Sequence, residues 1–589
     1  MRRRTSLAIA VALATALTLP AAGFGPAGAA STFTFFGSGY GHGVGMSQWG
    51  AYGLAQMGWT HTHILTHFYQ GTAVERRDTL PRTLRVELTY GRGLVHLRAQ
   101  AGPARLWQGD PAKHVLVGEI PEGRTWTVAA KDGGYAVRDA AGDLVGGRWW
   151  GSPSVPLTLT YANVGSRVFI PEADAIWGRG FSYARGTIAF GLYGCGNAGG
   201  CAERVVAHVS LEQYLYGLGE VPASWPMESM EAQAVAARSY AVHAIRHVGV
   251  RPDCDCHLTD GSGDQTYIGY DREAGTDGGR WVKAVDATRS QVVIYGGEVI
   301  QAFYAASDGG HSDNVEDIWH GGNPAYAIPW LTGVCDPGES TTSNPWTDWT
   351  KSFDAATLTA RLAPYTGSIG TITGFGNVLR TGSARILSLR ANGTGGSAAV
   401  TGAELKAGLG LYDDRVWINS DRNVTGALRE KYDGLECGPG LPTSPRAAVE
   451  GGAQQFFDRG GLYRNADRGL TVWLKGAIDL EYRAVGAGSG PLGVPMTTAR
   501  SLPTGRGRSC TDCRRVAFVG GRIYWKGSVG AHALWGAVLD AYLGVGGAGG
   551  ALGFPLTRVR TTTDGGRRAG FEHGRVLCPA RSACGVTTR

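Results

Sequence analysis

A single glutamate, Glu220, stands in a setting suited to acid–base chemistry. It lies in the turn Gly217-Leu-Gly-Glu-Val-Pro222, where two glycines and a proline restrict the backbone. Apolar Leu218, Val221 and Trp225 are near enough in sequence to shield its carboxyl from water. Because desolvation disfavours the charged form, it raises the pKa and keeps a carboxyl protonated at neutral pH. The turn therefore predicts a general acid of the kind that cleaves sugar polymers.

The turn leads into a helix of small residues that carries further polar side chains. Pro226 suits the first helical position, and we expect the helix to pack closely on a sheet. Gln233 and Arg238 are candidate substrate-binding residues on it. Since they are five apart and do not share a face, the alternative is a buried polar network that holds the turn. Three other glutamates are assigned to helix starts or helix surfaces: Glu212, Glu228 and Glu231.

A glycine-rich run near the N-terminus presents a second set of polar groups. It reads Gly37-Ser-Gly-Tyr-Gly-His-Gly-Val-Gly-Met-Ser-Gln48, with glycine at every second position as far as Gly45. Glycine lets a backbone approach a ligand closely and offers no side chain of its own. The polar groups that remain are His42, Ser47 and Gln48, which we take as candidate substrate-binding residues. A purely structural role is the alternative for His42.

A third group of candidates lies farther along the chain, in Gln265-Thr-Tyr267 and Ser307-Asp-Gly-Gly-His311. A serine hydrolase built from Ser307, His311 and Asp317 is rejected, because no strand–Gly-x-Ser-x-Gly–helix elbow surrounds the serine. The candidate substrate-binding residues of this group are Gln265, Tyr267, Ser307, Gly309 and Gly310.

These segments together resemble the SpoIID/LytB family, named after stage II sporulation protein D. The most specific is the helix segment Glu231-Ala-Gln-Ala-Val-Ala-Ala-Arg-Ser-Tyr240, and the glycine–histidine run is similar to a motif of the same family. The resemblance implies that Glu220 is catalytic and that the other candidates line the same groove. Two departures stand out. The turn before the helix is about two residues shorter than is usual, and the glycine–histidine run precedes the domain, as in a circular permutation.

The resemblance implies a lytic transglycosylase that cuts peptidoglycan between N-acetylmuramic acid and N-acetylglucosamine. One glutamate would serve as acid and then as base, which agrees with the lack of a persuasive partner acid in the sequence. The family also includes amidase enhancers. The alternative is therefore a wall-binding scaffold whose partner is a wall amidase. No cofactor is expected in either case.

The length and composition indicate several globular domains. At 589 residues the chain is too long for one core, and 18% charged with 43% hydrophobic residues is typical of folded protein. Its 93 glycines favour short strands and turns, although a GC-rich genome would also raise glycine. We predict an α+β fold in which strands dominate. Its parts are a motif segment at 31–75, a SpoIID-like domain with a β-rich insertion at 80–435, a linker at 436–445 and repeats at 446–589.

The repeats follow a Pro-rich segment, and the second copy reproduces the first at one constant offset in sequence. Gly460-Gly-Leu-Tyr leads to Leu492-Gly-Val-Pro495, and Gly520-Gly-Arg-Ile-Tyr leads to Leu552-Gly-Phe-Pro555. This pattern resembles the LGFP repeat, a wall-associated module, and implies that cell-wall polymers are a partner of this region. A truncated third copy is expected near 570–576.

Residues 1–30 are predicted to be a signal peptide, so the protein is expected to be secreted and wall-associated. Three arginines precede a short apolar run, and Ala27-Gly-Ala29 suits cleavage. No second apolar run is long enough for a transmembrane anchor. The mature charge of about +4 is too small to name a partner, and nucleic-acid-binding motifs are absent.

Ten cysteines in an exported chain predict disulfides, although their connectivity cannot be read from spacing. Eight of them lie in local pairs, and Cys335 and Cys437 stand alone. Cys254-Asp-Cys-His257 has an alternative interpretation as a partial zinc site, because thiolate and imidazole are preferred zinc ligands. No other metal site is predicted.

Overall fold

The computed structural model describes residues 31–113, 115–131, 133–173, 178–195, 200–340, 344–503 and 509–589. The predicted signal peptide lies outside these residues. Strand content (37%) exceeds helix content (24%), which confirms the prediction of a strand-dominated α+β fold. Among the described helices, none combines the length and the apolar character needed to cross a bilayer.

The N-terminal segment is largely helical and packs into the centre of the molecule. Ser47 caps the first helix, its hydroxyl accepting a hydrogen bond from Gly50 N at 3.0 Å. Thr60 caps the second in the same way through His63 N. The elements are β1 (Thr32–Gly37), β2 (Met46–Ser47), α1 (Gln48–Gln56), α2 (His61–Phe68) and β3 (Ala73–Arg76).

Two facing antiparallel sheets form the β-rich region that follows. Alternating apolar residues on their strands point inward and build one continuous core. The strands are β4 (Thr83–Arg92), β5 (Leu94–Ala101), β6 (Ala104–Gln108), β7 (Val115–Ile120), β8 (Thr125–Lys131), β9 (Gly134–Arg138), β10 (Leu157–Tyr161), β11 (Arg167–Ile170), β12 (Phe181–Tyr183), β13 (Thr187–Tyr193) and β14 (Ala202–Ser210). One sheet has the order β4-β14-β13-β10-β6-β7, and the other has the order β12-β11-β5-β8-β9.

A helical layer carries the chain from these sheets to the candidate site. Its long helix, α4, is buried along most of its length and contacts α1, α2 and α6. The elements are α3 (Leu211–Tyr216), α4 (Met227–His243), β15 (Leu258–Thr259), α5 (Tyr270–Ala274), α6 (Gly278–Ala287), β16 (Gln291–Tyr295), β17 (Glu298–Val299), β18 (Tyr304–Ala305) and α7 (Val315–Trp319). Strand β18 pairs in parallel with β2, and β16 pairs with β3, so the N-terminal segment is built into this layer.

A smaller α/β unit follows, and we call residues 31–433, from β1 to the last helix of this unit, the central body. Its strand β19 pairs along the full length of β1, and β23 covers the other edge of β1. The elements are β19 (Trp349–Asp354), α8 (Ala355–Thr366), β20 (Ile372–Arg380), β21 (Ile386–Gly393), β22 (Gly396–Thr401), α9 (Gly402–Leu409), β23 (Val416–Ile418) and α10 (Gly426–Asp433).

The C-terminal region holds three successive four-stranded antiparallel sheets. Their elements are β24 (Ala447–Val449), β25 (Gly452–Phe457), β26 (Gly460–Asn465), β27 (Leu470–Leu474), α11 (Gly476–Ala484), β28 (Arg500–Pro503), β29 (Ser509–Ala517), β30 (Gly521–Lys526), β31 (Gly530–Trp535), α12 (Gly536–Gly544), β32 (Arg560–Thr561), β33 (Arg567–Phe571), β34 (Gly574–Cys578) and β35 (Gly585–Thr588). The helices α11 and α12 begin at Gly476 and Gly536, and this spacing equals the offset between the two predicted copies.

A Gly-x-Pro step leads into each of the three sheets. Pro442 bridges to Phe457, Pro495 to Phe518 and Pro555 to Phe571. The first of these prolines lies within the segment predicted as a linker, and α10 packs against β26 and β27 beside it. Residues 436–445 therefore contact both the central body and the first sheet of the array.

Candidate active site

The Glu220 turn is held by backbone hydrogen bonds to the segment that runs from Gln265 to Gly269. Gly219 N donates to Thr266 O, and Ile268 N donates to Gly217 O, both at 2.9 Å. A Cβ on Gly217 would overlap the Tyr267 ring, which shows why the turn needs glycine at this close approach. The stiff turn that the sequence predicted is thus fixed by a neighbouring extended segment.

The carboxyl of Glu220 is enclosed by hydrogen-bond donors from three separate parts of the chain. Thr266 N donates to Oε1 at 2.6 Å, and Gln48 Nε2 donates to Oε2 at 3.3 Å. The Tyr304 hydroxyl also donates to this carboxyl. Burial raises the pKa of Glu220 above its ordinary value, and these donors offset part of that rise. The donor on Oε1 is the closer of the two measured donors, so Oε2 is held less strongly by the protein.

Gln48 joins the N-terminal glycine-rich run to the Glu220 turn. Its Nε2 contacts both Glu220 and, at 3.4 Å, the Oε1 of Gln233 on α4. Gln233 is buried, and its own Nε2 has no hydrogen-bond partner among the described residues. The N-terminal run therefore lies beside the Glu220 turn.

Tyr304 was not among the residues singled out from the sequence. Its hydroxyl accepts a hydrogen bond from Gln265 Nε2 at 2.8 Å, and Gln265 Oε1 accepts one from the Tyr214 hydroxyl at 2.9 Å. Because the Tyr304 oxygen accepts from Gln265, its own proton can point at Glu220. A tyrosine that ends an apolar run, Val299-Ile-Gln-Ala-Phe-Tyr304, is the signal that could have found it. Gln265 acts through Tyr304 and does not contact Glu220.

His42 lies behind Tyr304 and contacts its backbone. The imidazole is hydrogen-bonded to the Tyr304 carbonyl, and its Nδ1 accepts a hydrogen bond from Val44 N at 3.0 Å. Burial, together with Lys406 and Arg385, lowers the pKa of His42 to about 4. The neutral ring also packs 5.3 Å from the half-exposed Trp319. His42 and Glu220 thus contact the same residue, His42 through the Tyr304 carbonyl and Glu220 through the Tyr304 hydroxyl.

A positive charge, Arg272, completes the electrostatics of the site. Its guanidinium packs over the Trp281 ring at 4.7 Å and interacts favourably with the charge of Glu220. Burial lowers the pKa of Arg272 to about 10, so it stays charged at neutral pH. Its Nε and Nη2 have no hydrogen-bond partner in the described part of the chain. Arg272 therefore favours the ionised form that Glu220 takes after it gives up a proton.

Comparisons with known proteins match two parts of the chain. Residues 201–295 match the SpoIID family, described as stage II sporulation protein, and residues 492–550 match the LGFP repeat. The chain carries a SpoIID domain and an LGFP repeat. The first match contains the Glu220 turn, α4 and the Gln265 segment, and it stops before Tyr304.

Curated relatives match about a quarter of this chain. An uncharacterized protein of Brachyspira hyodysenteriae is 34% identical over 24% of this chain and 37% of its own length. The amidase enhancer of Bacillus subtilis is 31% identical over 24% of this chain and 16% of its own length. Stage II sporulation protein D of Bacillus subtilis is 27% identical over 29% of this chain and 52% of its own length. The chain thus spans about half or less of the length of each of these relatives.

Four of the predicted binding residues lie at a second cluster of the central body, away from Glu220. Ser47 Oγ donates to Glu339 Oε1 at 2.6 Å, and Ser307 Oγ donates to Glu339 Oε2 at 3.0 Å. Gly309 and Gly310 have positive φ, and a Cβ on Gly310 would overlap the Arg429 guanidinium. Ser47 and Ser307 thus bind Glu339, and Gly310 packs against Arg429. None of the four donates a hydrogen bond to the Glu220 carboxyl among the described residues.

Arg238 and Tyr267 are buried beneath the turn. Arg238 is 0% exposed and forms a bidentate pair with Glu212, at 3.0 and 2.8 Å. For Arg238 this pair matches the alternative prediction of a buried polar network. The Tyr267 ring stacks on Tyr214 with centroids 5.2 Å apart. Both residues support the site from below and present no polar atom to the carboxyl.

The remaining glutamates and the rejected serine triad have other partners. Glu228 and Glu231 both lie 2.9 Å from His61 Nδ1, which ties α2 to α4. His311 Nδ1 contacts the Ser312 carbonyl at 2.6 Å, and Ser307 binds Glu339, so these two do not form a nucleophile–base pair.

The cysteines of the described residues form disulfides, as predicted. Cys195–Cys201 and Cys578–Cys584 are local, and Cys335–Cys437 joins the central body to the segment before the repeats. Cys254 and Cys256 also pair, and a disulfide sulfur lacks the thiolate charge that zinc requires. His257 Nδ1 accepts a hydrogen bond from Arg85 N at 2.9 Å. The zinc alternative at Cys254, Cys256 and His257 remains an untested prediction.

Proposed function

We propose that this protein is a peptidoglycan lytic transglycosylase that uses Glu220 as its only acid and base. The observation that carries the proposal is the Glu220 carboxyl itself. It is enclosed, its pKa is raised by burial, and donors from the Gln265 segment, the N-terminal run and β18 converge on it. Such a group holds a proton at higher pH than a solvated glutamate does.

The proposed reaction has two steps that share one proton carrier. Protonated Glu220 gives its proton from Oε2 to the glycosidic oxygen between N-acetylmuramic acid and N-acetylglucosamine, and the bond from that oxygen to C1 of the muramoyl residue breaks. The resulting carboxylate takes the proton of the muramoyl C6 hydroxyl, whose oxygen then bonds to C1. The product is a 1,6-anhydro ring, no water is consumed, and Glu220 ends protonated as it began.

The surrounding groups fit the change of charge in this sequence. In the first step the carboxyl becomes negative, and Thr266 N, Gln48 and Tyr304 already donate to it. Arg272 interacts favourably with that charge. The unpartnered Nε2 of Gln233 is a donor that a sugar hydroxyl or acetamide oxygen could use. These contacts stabilise the intermediate carboxylate without preventing protonation in the resting state.

A second candidate function is supported by one relative, the amidase enhancer of Bacillus subtilis. In that case the SpoIID domain would bind the wall and present or activate an amidase without cutting glycan. The LGFP repeat favours wall polymers as a partner in both cases.

The deciding experiment is mass spectrometry of glycan strands after incubation with wild-type protein and with Glu220→Gln. We expect wild-type protein to release products with anhydro-muramoyl ends, and Glu220→Gln to release none while binding and folding are retained. Glu119→Gln, which changes an exposed carboxylate paired with Arg105, is the matched control and should retain cleavage. Anhydro products from Glu220→Gln would refute the mechanism. Sedimentation of wild-type protein with the wall and no soluble product would favour the scaffold.

A further inference from the structure

Three carboxylates meet in the interior of the central body, at the second cluster that holds Ser47 and Ser307. Asp308 is 1% exposed, and Asp336 and Glu339 are 0% exposed. Each contributes one carboxylate oxygen to a group of three that lie within 4.8 Å of one another. Like charges placed this close in a dry interior repel strongly unless something neutralises them.

Glu339 is fully satisfied by the surrounding protein. Its Oε1 accepts hydrogen bonds from Ser47 Oγ at 2.6 Å and Asp308 N at 3.0 Å. Its Oε2 accepts from Ser307 Oγ and from Asn344 Nδ2. These four donors favour the ionised form of Glu339 and offset part of the rise in pKa that burial causes.

Asp308 and Asp336 are each satisfied on one oxygen only. Asp308 Oδ1 accepts from Gly310 N at 2.7 Å, and Asp336 Oδ1 accepts from Gly338 N at 2.8 Å. The Oδ2 atoms of both are buried and have no hydrogen-bond partner in the described residues. A buried carboxylate oxygen without a partner is costly, because it has lost its hydration and gained nothing in return, unless a ligand occupies it.

The nearby arginines do not neutralise these oxygens. Arg429 lies 2.7 Å from Asp433, and Arg385 lies 3.0 Å from Asp413. Across the described residues, neither arginine forms an ion pair with Asp308, Asp336 or Glu339. Both arginines favour the ionised form of Asp308 electrostatically, but within the described residues none of the three carboxylates pairs with them directly.

We propose that Asp308, Asp336 and Glu339 bind one divalent cation of the hard, oxygen-seeking class, with calcium as the preferred ion. Three carboxylate oxygens within 4.8 Å of one another fit a shared ion with metal–oxygen distances of about 2.3–2.6 Å. The ligand set contains no sulfur and no imidazole, which favours calcium over zinc.

The cation also links this cluster to the catalytic turn. Glu339 holds the Ser47 hydroxyl, and Gly50 is packed against Asp336, so both ends of the first turn of α1 rest on the cluster. Gln48, which contacts Glu220, lies in that turn. The bound ion fixes the N-terminal run against the domain and so positions Gln48.

The test measures metal binding by the full chain and does not depend on glycan cleavage. Protein stripped with EDTA is titrated with calcium or magnesium chloride by calorimetry, and its thermal unfolding is followed with and without each salt. We expect one calcium per chain, weaker magnesium binding, and a higher unfolding temperature in calcium. Asp336→Asn should weaken calcium binding by more than about tenfold, and Asp308→Asn serves if that variant does not fold.

The matched control is Asp286→Asn, which removes an exposed carboxylate paired with Arg289 and should bind calcium as the wild type does. The proposal would be overturned if millimolar calcium did not change the unfolding temperature of the stripped wild-type protein. A proton shared between Asp308 and Asp336 would then explain how the cluster is tolerated. Unchanged calcium binding by Asp336→Asn and Asp308→Asn would overturn it as well. Glu220→Gln should keep the site, so loss of catalysis and loss of metal are separable.

Discussion

Tyr304→Phe isolates one of the hydrogen-bond donors that set the acidity of Glu220. The hydroxyl of Tyr304 donates to the Glu220 carboxyl, and its backbone is held by the pairing of β18 with β2. Phenylalanine keeps the ring and removes only the hydroxyl. Gln265 Nε2, which loses its acceptor at 2.8 Å, still has the Ala237 carbonyl at 3.3 Å. The substitution therefore changes the carboxyl more than it changes the fold.

The magnitude follows from the charge of the acceptor. A hydrogen bond to an ionised carboxylate contributes about 1.5–3 kcal/mol, and about 1.36 kcal/mol corresponds to one unit of pKa. Losing this donor destabilises the carboxylate, but not the protonated acid, by about this free energy, so the pKa of Glu220 rises further. Gln48→Leu removes another side-chain donor, whose Nε2 lies 3.3 Å from Oε2, and should also raise the pKa of Glu220.

Two assays read this shift. In the first, the release of anhydro products is measured across pH, and the alkaline limb, where the acid loses its proton, should move to higher pH in Tyr304→Phe. In the second, the difference in unfolding free energy between Glu220 and Glu220→Gln backgrounds is followed with pH, which needs no catalysis. Tyr240→Phe, whose hydroxyl contacts Asp264 at 3.0 Å, is the control and should leave both profiles in place. A limb that stays fixed or moves to lower pH in Tyr304→Phe would refute the assigned hydrogen bond.

Two further predictions concern buried ionisable groups outside the groove. Glu203 is 0% exposed with neither oxygen partnered among the described residues, and burial raises its pKa to about 9. The folded state then keeps a proton that the unfolded state loses, so stability falls as pH rises from about 4.5 to 9. Glu203→Gln should raise the unfolding free energy by roughly 3 kcal/mol at pH 7 and by nothing near pH 4, as measured by urea denaturation. Burial lowers the pKa of His61, but its hydrogen bonds to Glu231 and Glu228 outweigh burial and raise the pKa to about 9. Its contribution is complete below pH 6.5 and is lost above 9, so His61→Gln should cost about 1–3 kcal/mol at pH 6 and little at pH 10; an equal cost at both would contradict it.

Local patterns in the sequence predict most of the elements near the site. The Ser47 cap and the following small residues predict a helix to Met57, and α1 ends at Gln56. Alternation predicts Leu157–Tyr161 as a strand, and β10 has the same bounds. Pro226 is the cap of α4 and not its first residue, a shift of one position. In each case the deciding interactions are local, so the sequence contains them.

Predictions failed where a long-range contact replaced a strand hydrogen bond. Gln265-Thr-Tyr-Ile268 is predicted as a strand, but it forms only isolated bridges, because Thr266 N donates to Glu220 and Tyr267 N donates to Asp260. The same reasoning explains the predicted binding residues that lie elsewhere. Ser47 and Ser307 face Glu339, a residue far from both in sequence, and no spacing rule points to it.

The permuted order of the motif is accounted for by the pairing of the first strand. Strand β1 lies between β19 and β23, which come much later in the sequence. From β1 the chain passes along Ser307 and Asp313 through single bridges, pairs β2 with β18, and enters α1 at Gln48. The strand pairings and single bridges of this path join the N-terminal run to β18 or to residues that follow it, and none requires the run to come after them in sequence. A motif at the front of the domain is therefore compatible with the contact of Gln48 with Glu220. The chain between these two residues forms the closing loop, and the entropy lost on closing a loop grows only slowly with its length.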